Sequence, residues 1–201
     1  MYRVAVEGLD RSGKTYLIRR LQDALKAQGR KVEVLRDATP YPTHLTKWVD
    51  TAHGTTADLV YTASLLAMLR YEDTLSPEVD VVIYDRYLPT YVAYSTIGDG
   101  PKWMEPVHDR ISTLVQYIAA VAPAPDILVF LDTSLTSIEY RCGATGEPFD
   151  YERESRIRAR MLTAIDALGA PVLCVDETVR VQDTVRDVVR ALYPEEEPWS
   201  S

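Results

Sequence analysis

The chain has 201 residues, 46% of them hydrophobic, enough for one sizeable core and short for two independent ones. Its 22 Lys and Arg against 30 Asp and Glu leave a net charge of -8, which argues against a nucleic-acid partner and requires any small anion to be held by a local cluster. No stretch reaches the roughly 18 apolar residues of a membrane span, and Cys142 and Cys174 stand in no metal-ligand spacing, so a cytoplasmic protein with two buried thiols is expected.

In chain order, Met1 runs without a charged-then-apolar leader into a first buried strand at Val4 to Val6. Gly8-Leu9-Asp10-Arg11-Ser12-Gly13-Lys14-Thr15 follows, and a helical pattern from Tyr16 to Ala27 closes on Gly29. A strand at Lys31 to Leu35 precedes a helical stretch from Ala57 to Leu75. The strand at Val79 to Tyr84 ends in Asp85-Arg86-Tyr87. Helical spacing returns from Val107 to Ala122 and is broken by Pro123 and Pro125. A strand at Ile127 to Leu131, a helix at Ser155 to Leu168, a strand at Pro171 to Val175 and a helix at Val179 to Leu192 complete the pattern. Residues 1–193 read as a single domain, and 194–201, with Glu195-Glu196-Glu197, as an acidic, solvated tail.

The segment from Gly8 to Thr15 satisfies GxxxxGK[ST] in full, between a strand and a helix. A triphosphate needs several inward-pointing backbone N–H groups; glycines let the chain wrap closely enough to supply them, and the helix N-terminus adds its positive end. Gly8, Ser12 and Gly13 would form this cradle for ATP, Lys14 would bridge the outer phosphates, and Thr15 would help hold Mg2+. The alternation of strands and helices then predicts a P-loop NTPase-type three-layer α/β/α fold. Its five-stranded parallel sheet would carry chemistry at the carboxyl ends of the strands. Asp85 ends a buried strand, where a carboxylate organises Mg2+ and its waters. Arg86 beside it offers a fork of donors to an acceptor phosphate. Asp10 and Arg11 are not needed for cradling; they are free to face the acceptor and the moving phosphoryl group.

These residues resemble the thymidylate kinase family of nucleoside monophosphate kinases. The strongest parts are Glu7 to Thr15 and Asp85-Arg86-Tyr87, joined by Pro125 to Asp132 and by Phe149-Asp150 with Arg156, Arg158 and Arg160. The resemblance implies transfer of the ATP γ-phosphate to a deoxynucleoside monophosphate, with dTMP favoured, in the presence of Mg2+. It assigns Asp10 to the acceptor sugar, Arg11 to the transferring phosphate and Arg36 and Arg86 to the acceptor phosphate. Arg70 falls where the family reads the acceptor base and Arg141 where an Arg packs on adenine. A short lid is expected around 142–150. It has no Lys or Arg from Cys142 to Pro148, so the chain resembles members whose catalytic Arg is on the P-loop. The resemblance also implies a homodimer through helices on one side of the sheet.

Two departures bear on the acceptor. Asp37-Ala38-Thr39-Pro40-Tyr41 replaces the family's acidic-Pro-Gly-Gly loop, and Leu66 stands where an aromatic usually stacks on thymine. They keep open a kinase of another acceptor, such as a nucleoside, a small metabolite or a modified base in DNA. A non-kinase ATP-dependent switch also carries GxxxxGK[ST]. Tyr87, Tyr91 and Tyr94 follow at helical spacing, which puts one face on the sheet and leaves Tyr94 a candidate for touching the acceptor. Of the Arg series from Arg153 to Arg160, one or two are expected over the phosphates and the rest on a solvated face with Glu152 and Glu154. His44, His53 and His108 are too scattered for a metal site, and Trp48, Trp103 and Trp199 carry no motif.

Overall fold

The computed structural model describes residues 1–36, 55–94, 113, 114 and 116–195. The elements are β1 (Tyr2–Gly8), α1 (Lys14–Ala27), β2 (Val32–Arg36), α2 (Thr55–Glu72), β3 (Val81–Asp85), α3 (Leu88–Tyr94), β4 (Ile127–Leu131), α4 (Leu135–Thr145), α5 (Tyr151–Leu168), β5 (Val172–Val175) and α6 (Val181–Leu192). Residues 116–121 are also helical. All five strands are parallel, in the order β2-β3-β1-β4-β5. In register, Val6 lies between Asp85 and Val129 and Arg36 lies beside Asp85, so the ends of β1, β2 and β3 meet at one edge.

Because successive strand residues face opposite sides, the apolar runs supply two cores at once. Val4, Val6, Val81, Ile83 and Val129 face α1 and α6, which contribute Leu17, Leu21, Val185 and Val188. Ala5, Val82, Tyr84, Leu128 and Phe130 face the other way, onto Leu65 and Met68 of α2, Leu88 and Tyr91 of α3 and Met161 of α5. Glu72 at the end of α2 is buried and accepts hydrogen bonds from Tyr84 Oη and, at 2.7 Å, from Arg3 Nε, which ties that helix to the sheet.

α3, seven residues long, carries Tyr91 and Tyr94 of the tyrosines expected at helical spacing, with Tyr87 just before it and Tyr87 and Tyr91 in the core. One helix absent from the sequence-based expectation, α4, is present. In α4 only Ile138 and Cys142 are buried, so its apolar stripe is thin; its start is marked by Ser134, whose side chain accepts from the Ser137 N–H. Cys142 is buried as expected, but Cys174 is exposed, because β5 is an edge strand. The loop from Asp37 to Tyr41, the three histidines, the three tryptophans and residues 196–201 lie outside the described residues. Among the described residues no helix is long and apolar enough to cross a membrane.

Candidate active site

β1 delivers the chain to Gly8, whose φ is 145°. A Cβ there would lie 2.7 Å from Ser12 Oγ and 2.8 Å from the Leu131 carbonyl oxygen, so only glycine fits. Leu9 anchors the loop in the core, and the backbone then passes through positive φ at Arg11 (63°) and Gly13 (106°). Such reversals turn successive N–H groups toward one concavity, the form of a phosphate nest. A left-handed non-glycine residue costs of order 1 kcal/mol or more and persists where its surroundings hold it. Here Arg141 Nη1 donates to the Arg11 carbonyl at 2.6 Å and Thr133 Oγ1 donates to the Ser12 carbonyl at 3.0 Å.

Lys14 opens α1 and is buried, with Nζ donating to the carbonyls of Gly8 (2.9 Å) and Leu9 (2.6 Å). Burial first, and then the charge of Arg86, lower its pKa to about 8 against the pull of Asp10, Glu7 and Asp85.

The second strand end is fixed by a residue that the sequence analysis gave no role. Glu7 is fully buried; its carboxylate accepts from the N–H of Tyr87 at 2.7 Å, the N–H of Thr90 at 3.3 Å and the hydroxyl of Thr90. Burial raises its pKa, and the hydrogen bonds from Thr90 and Tyr87 oppose that shift. The turn so held contains Arg86 at φ 79°, the second positive-φ non-glycine residue in the described chain. Arg86 pairs with Asp10 and lies 5.6 Å from the ring centre of Tyr94, whose hydroxyl accepts from the Asp10 N–H at 3.3 Å. Burial works to raise the Asp10 pKa, but Arg86 and then Lys14 outweigh it and hold the carboxyl below its usual range. Asp85 faces Arg36 at 3.3 Å.

Two cavities meet here. A cleft of about 660 Å³ is lined by Arg11, Lys14, Thr15, Asp85 and Arg141, together with Asp10 and Arg86. A smaller one, of about 200 Å³, is lined by Tyr61, Thr90, Tyr91 and Tyr94, again with Asp10 and Arg86. The Asp10–Arg86 pair therefore stands between a phosphate side and a second, aromatic side.

The structure brings Asp10, Arg11, Gly13, Lys14, Thr15, Asp85, Arg86, Tyr94 and Arg141 to these cavities. Arg36, Leu66 and Arg70 line neither cavity. α2 turns Leu65, Met68 and Glu72 inward, and that rotation leaves Leu66 40% exposed and Arg70 in solvent, paired with Asp73 at 3.3 Å. The aromatic that α2 does present is Tyr61, four residues before Leu65 on the same face. Of the Arg series, Arg158 forms a fork with Asp132 at 2.7 and 2.6 Å, Arg160 donates to the Val92 carbonyl at 2.8 Å, and Arg153 lies 5.9 Å from the Tyr94 ring centre.

Thr15 and Asp85 face the same cleft, a donor set with one hydroxyl and one carboxylate. Among the described residues no group of three or more His, Cys, Asp or Glu could cage a metal. The Thr15 hydroxyl and Asp85 carboxylate fit Mg2+, which keeps most of its waters and is shared between one or two protein oxygens and substrate phosphates.

A glycine-cornered phosphate nest with a buried lysine, a carboxylate at the next strand end and an adjoining second cavity define a P-loop phosphotransferase. The chain belongs to the thymidylate kinase family. The model of the family described as Thymidylate kinase matches residues 6–188. The thymidylate kinase of Xanthomonas euvesicatoria is 33% identical over 177 residues, covering 84% of this chain and 72% of that protein. The thymidylate kinase of Xanthomonas oryzae is 33% identical over 171 residues, covering 80% and 70%. That of Xanthomonas campestris is 30% identical over 181 residues, covering 85% and 74%.

Proposed function

We infer that this protein transfers the γ-phosphate of ATP to dTMP, giving ADP and dTDP with Mg2+ as cofactor. The observation that carries the reading is the Asp10–Arg86 pair, which lines both cavities and so faces a donor on one side and an acceptor on the other. ATP lies with its phosphates in the nest, with Lys14 on the outer phosphates and the base toward Arg141. Thr15 and Asp85 would hold Mg2+ and its waters, and the ion, when bound, would supply neutralising charge to the donor phosphates.

Arg86 aligns the acceptor phosphate and Asp10 accepts from the acceptor sugar. An oxygen of the acceptor phosphate attacks the γ-phosphorus; the bond to the β–γ bridging oxygen breaks, and that oxygen leaves on ADP. The attacking oxygen is already ionised, so no general base is needed and the work is positioning and charge neutralisation. Arg11 donates to the moving phosphoryl. Arg36, beside Asp85, adds a second cation on the acceptor side. Tyr61 covers the acceptor base, with Tyr94 at its edge, in the role expected of an aromatic on α2.

We take residues 1–193 as one kinase domain with its lid at 142–150, working in the cytoplasm without a nucleic-acid partner, as the net charge of -8 supports. A homodimer is supported by exposed apolar side chains on two helices that pack on the same side of the sheet: Leu59 and Leu66 of α2, and Leu114, Tyr117 and Val121 around the 116–121 helix.

The test is ADP release from Mg-ATP with a panel of deoxynucleoside monophosphates, nucleosides and single-stranded DNA. A clear preference for dTMP is expected. Turnover confined to nucleosides or DNA would replace the acceptor, and turnover that ignores every acceptor would mark a switch.

A further inference from the structure

Arg11 is gripped twice by the segment that ends α4. Arg141, in the helix, donates to its carbonyl at 2.6 Å. Glu147, just past the helix, takes its side chain: Arg11 Nε donates to one carboxylate oxygen at 2.8 Å, and Nη2 contacts the other. The position of Glu147 is itself built. Gly146 caps α4 in the left-handed conformation at φ 73°, and the Glu147 N–H returns to the Cys142 carbonyl at 3.0 Å, which folds the chain back toward the P-loop.

The fork leaves a defined remainder. A guanidinium has five N–H donors; pairing through Nε and Nη2 occupies one edge and leaves Nη1 and the second Nη2 hydrogen on the other. Arg11 lines the phosphate cleft, whereas Glu147 does not. The carboxylate thus holds the arginine from outside the cleft, where it does not occupy the space a phosphate needs. With the Glu147 side chain 54% exposed, the pair adds little to stability. What it fixes is the direction in which Arg11 points.

Resting on the reading of Arg11 as the arginine that meets the transferring phosphate, we propose that Glu147 is a positioning residue that couples the lid segment to this arginine. Moving the end of α4 moves both grips together, so the free edge of the guanidinium reaches its working direction only when the lid segment is in place. This role differs from that of a carboxylate competing with ATP for Arg11, which would sit in the cleft and weaken nucleotide binding.

The experiment is a double-mutant cycle on the single-turnover rate of phosphoryl transfer, with ATP and dTMP saturating, using Glu147→Ala, Glu147→Gln, Arg11→Ala and the double variant. Arg11→Ala is expected to lower the rate at least about 100-fold. Glu147→Ala is expected to lower it about tenfold, with both KM values within about threefold of the parent. Glu147→Gln, whose amide oxygen still accepts from one N–H, should recover most of that loss. In the Arg11→Ala background, Glu147→Ala should change nothing further. An unchanged rate in Glu147→Ala, or the same fractional loss with and without Arg11, overturns the positioning role while leaving Arg11 in place. A fall in the ATP KM of Glu147→Ala with an unchanged rate overturns it in favour of competition. If Arg11→Ala transfers at the parental rate, the reading of Arg11 itself fails and the proposal with it.

Discussion

In the proposed mechanism Lys14 carries the charge on which donor binding depends, and its surroundings make that charge titratable. With a pKa of about 8 in the free protein, the ammonium is lost as pH rises through that value. A bound polyphosphate favours the charged form and lifts the pKa. The sign is therefore fixed: kcat/KM for ATP, which reports the free enzyme, should fall above about pH 8, while kcat, which reports the loaded enzyme, should hold to higher pH. Lys14→Arg should lack this basic limb, because a guanidinium stays charged. Lys14→Ala should remove nearly all transfer. Coincident pH profiles for kcat and kcat/KM in the parent would contradict this account. Arg86 is proposed to act on the other substrate. Arg86→Ala should raise the dTMP KM roughly 100-fold, the loss of a charge-assisted phosphate contact, and move the ATP KM by only a few-fold. Steady-state kinetics with each substrate varied in turn separates the two effects.

At the scale of elements, the P-loop was legible because motif, strand and helix all coincide between Val4 and Ala27. Asp85-Arg86 was legible because it ends an apolar run. The inner face of α2 was not. A helix crowded with apolar residues has no contrasting face to read, since Leu65, Leu66, Met68 and Leu69 all look alike in sequence while only Leu65 and Met68 are fully buried. The rotation is set by packing on Tyr84 and Phe130 of the sheet, which a local pattern does not contain.

Tyr61→Ala should therefore cost about 1–3 kcal/mol of acceptor binding, or roughly 5- to 150-fold in the dTMP KM. Leu66→Ala and Arg70→Ala should each stay within about threefold. An equal effect of Leu66→Ala would put the wrong face of α2 against the acceptor. Glu7 was hidden for a related reason: its partners, Tyr87 and Thr90, are distant in sequence and meet it only through the β1–β3 pairing. Glu7→Ala leaves the buried N–H of Tyr87 unpaired and should cost about 2–4 kcal/mol in unfolding free energy, measured by denaturant titration. Glu7→Gln, which keeps an acceptor at the same place, should cost far less.

Across the whole molecule, the parallel sheet makes a single functional end. β1 and β3 finish at Gly8 and Asp85, and every residue proposed for chemistry follows one of the strand ends or lies on a helix facing them. The sequence implied this order through strand-helix alternation, and the two cores follow from the alternating inward residues of each strand. The opposite flank has another use. Leu114, Tyr117 and Val121 recur at helical spacing and stay exposed, with Tyr117 at 66%, while Ile118 between them is buried against the same core that holds α2. This helix thus has an inner apolar face that the fold covers and an exposed outer one, and α2, packed on the same core, exposes Leu59 and Leu66. In the proposed homodimer a second copy would supply a matching surface under twofold symmetry, because each helix would meet its own counterpart. Light scattering should give about twice the 22.7 kDa of one chain. Tyr117→Asp buries a charge in the pair but leaves the chain's own core untouched, so it should give a folded species at the mass of one chain. A single-chain mass for the parent at tens of micromolar would remove the dimer, and a twofold mass that survives Tyr117→Asp would move the interface elsewhere.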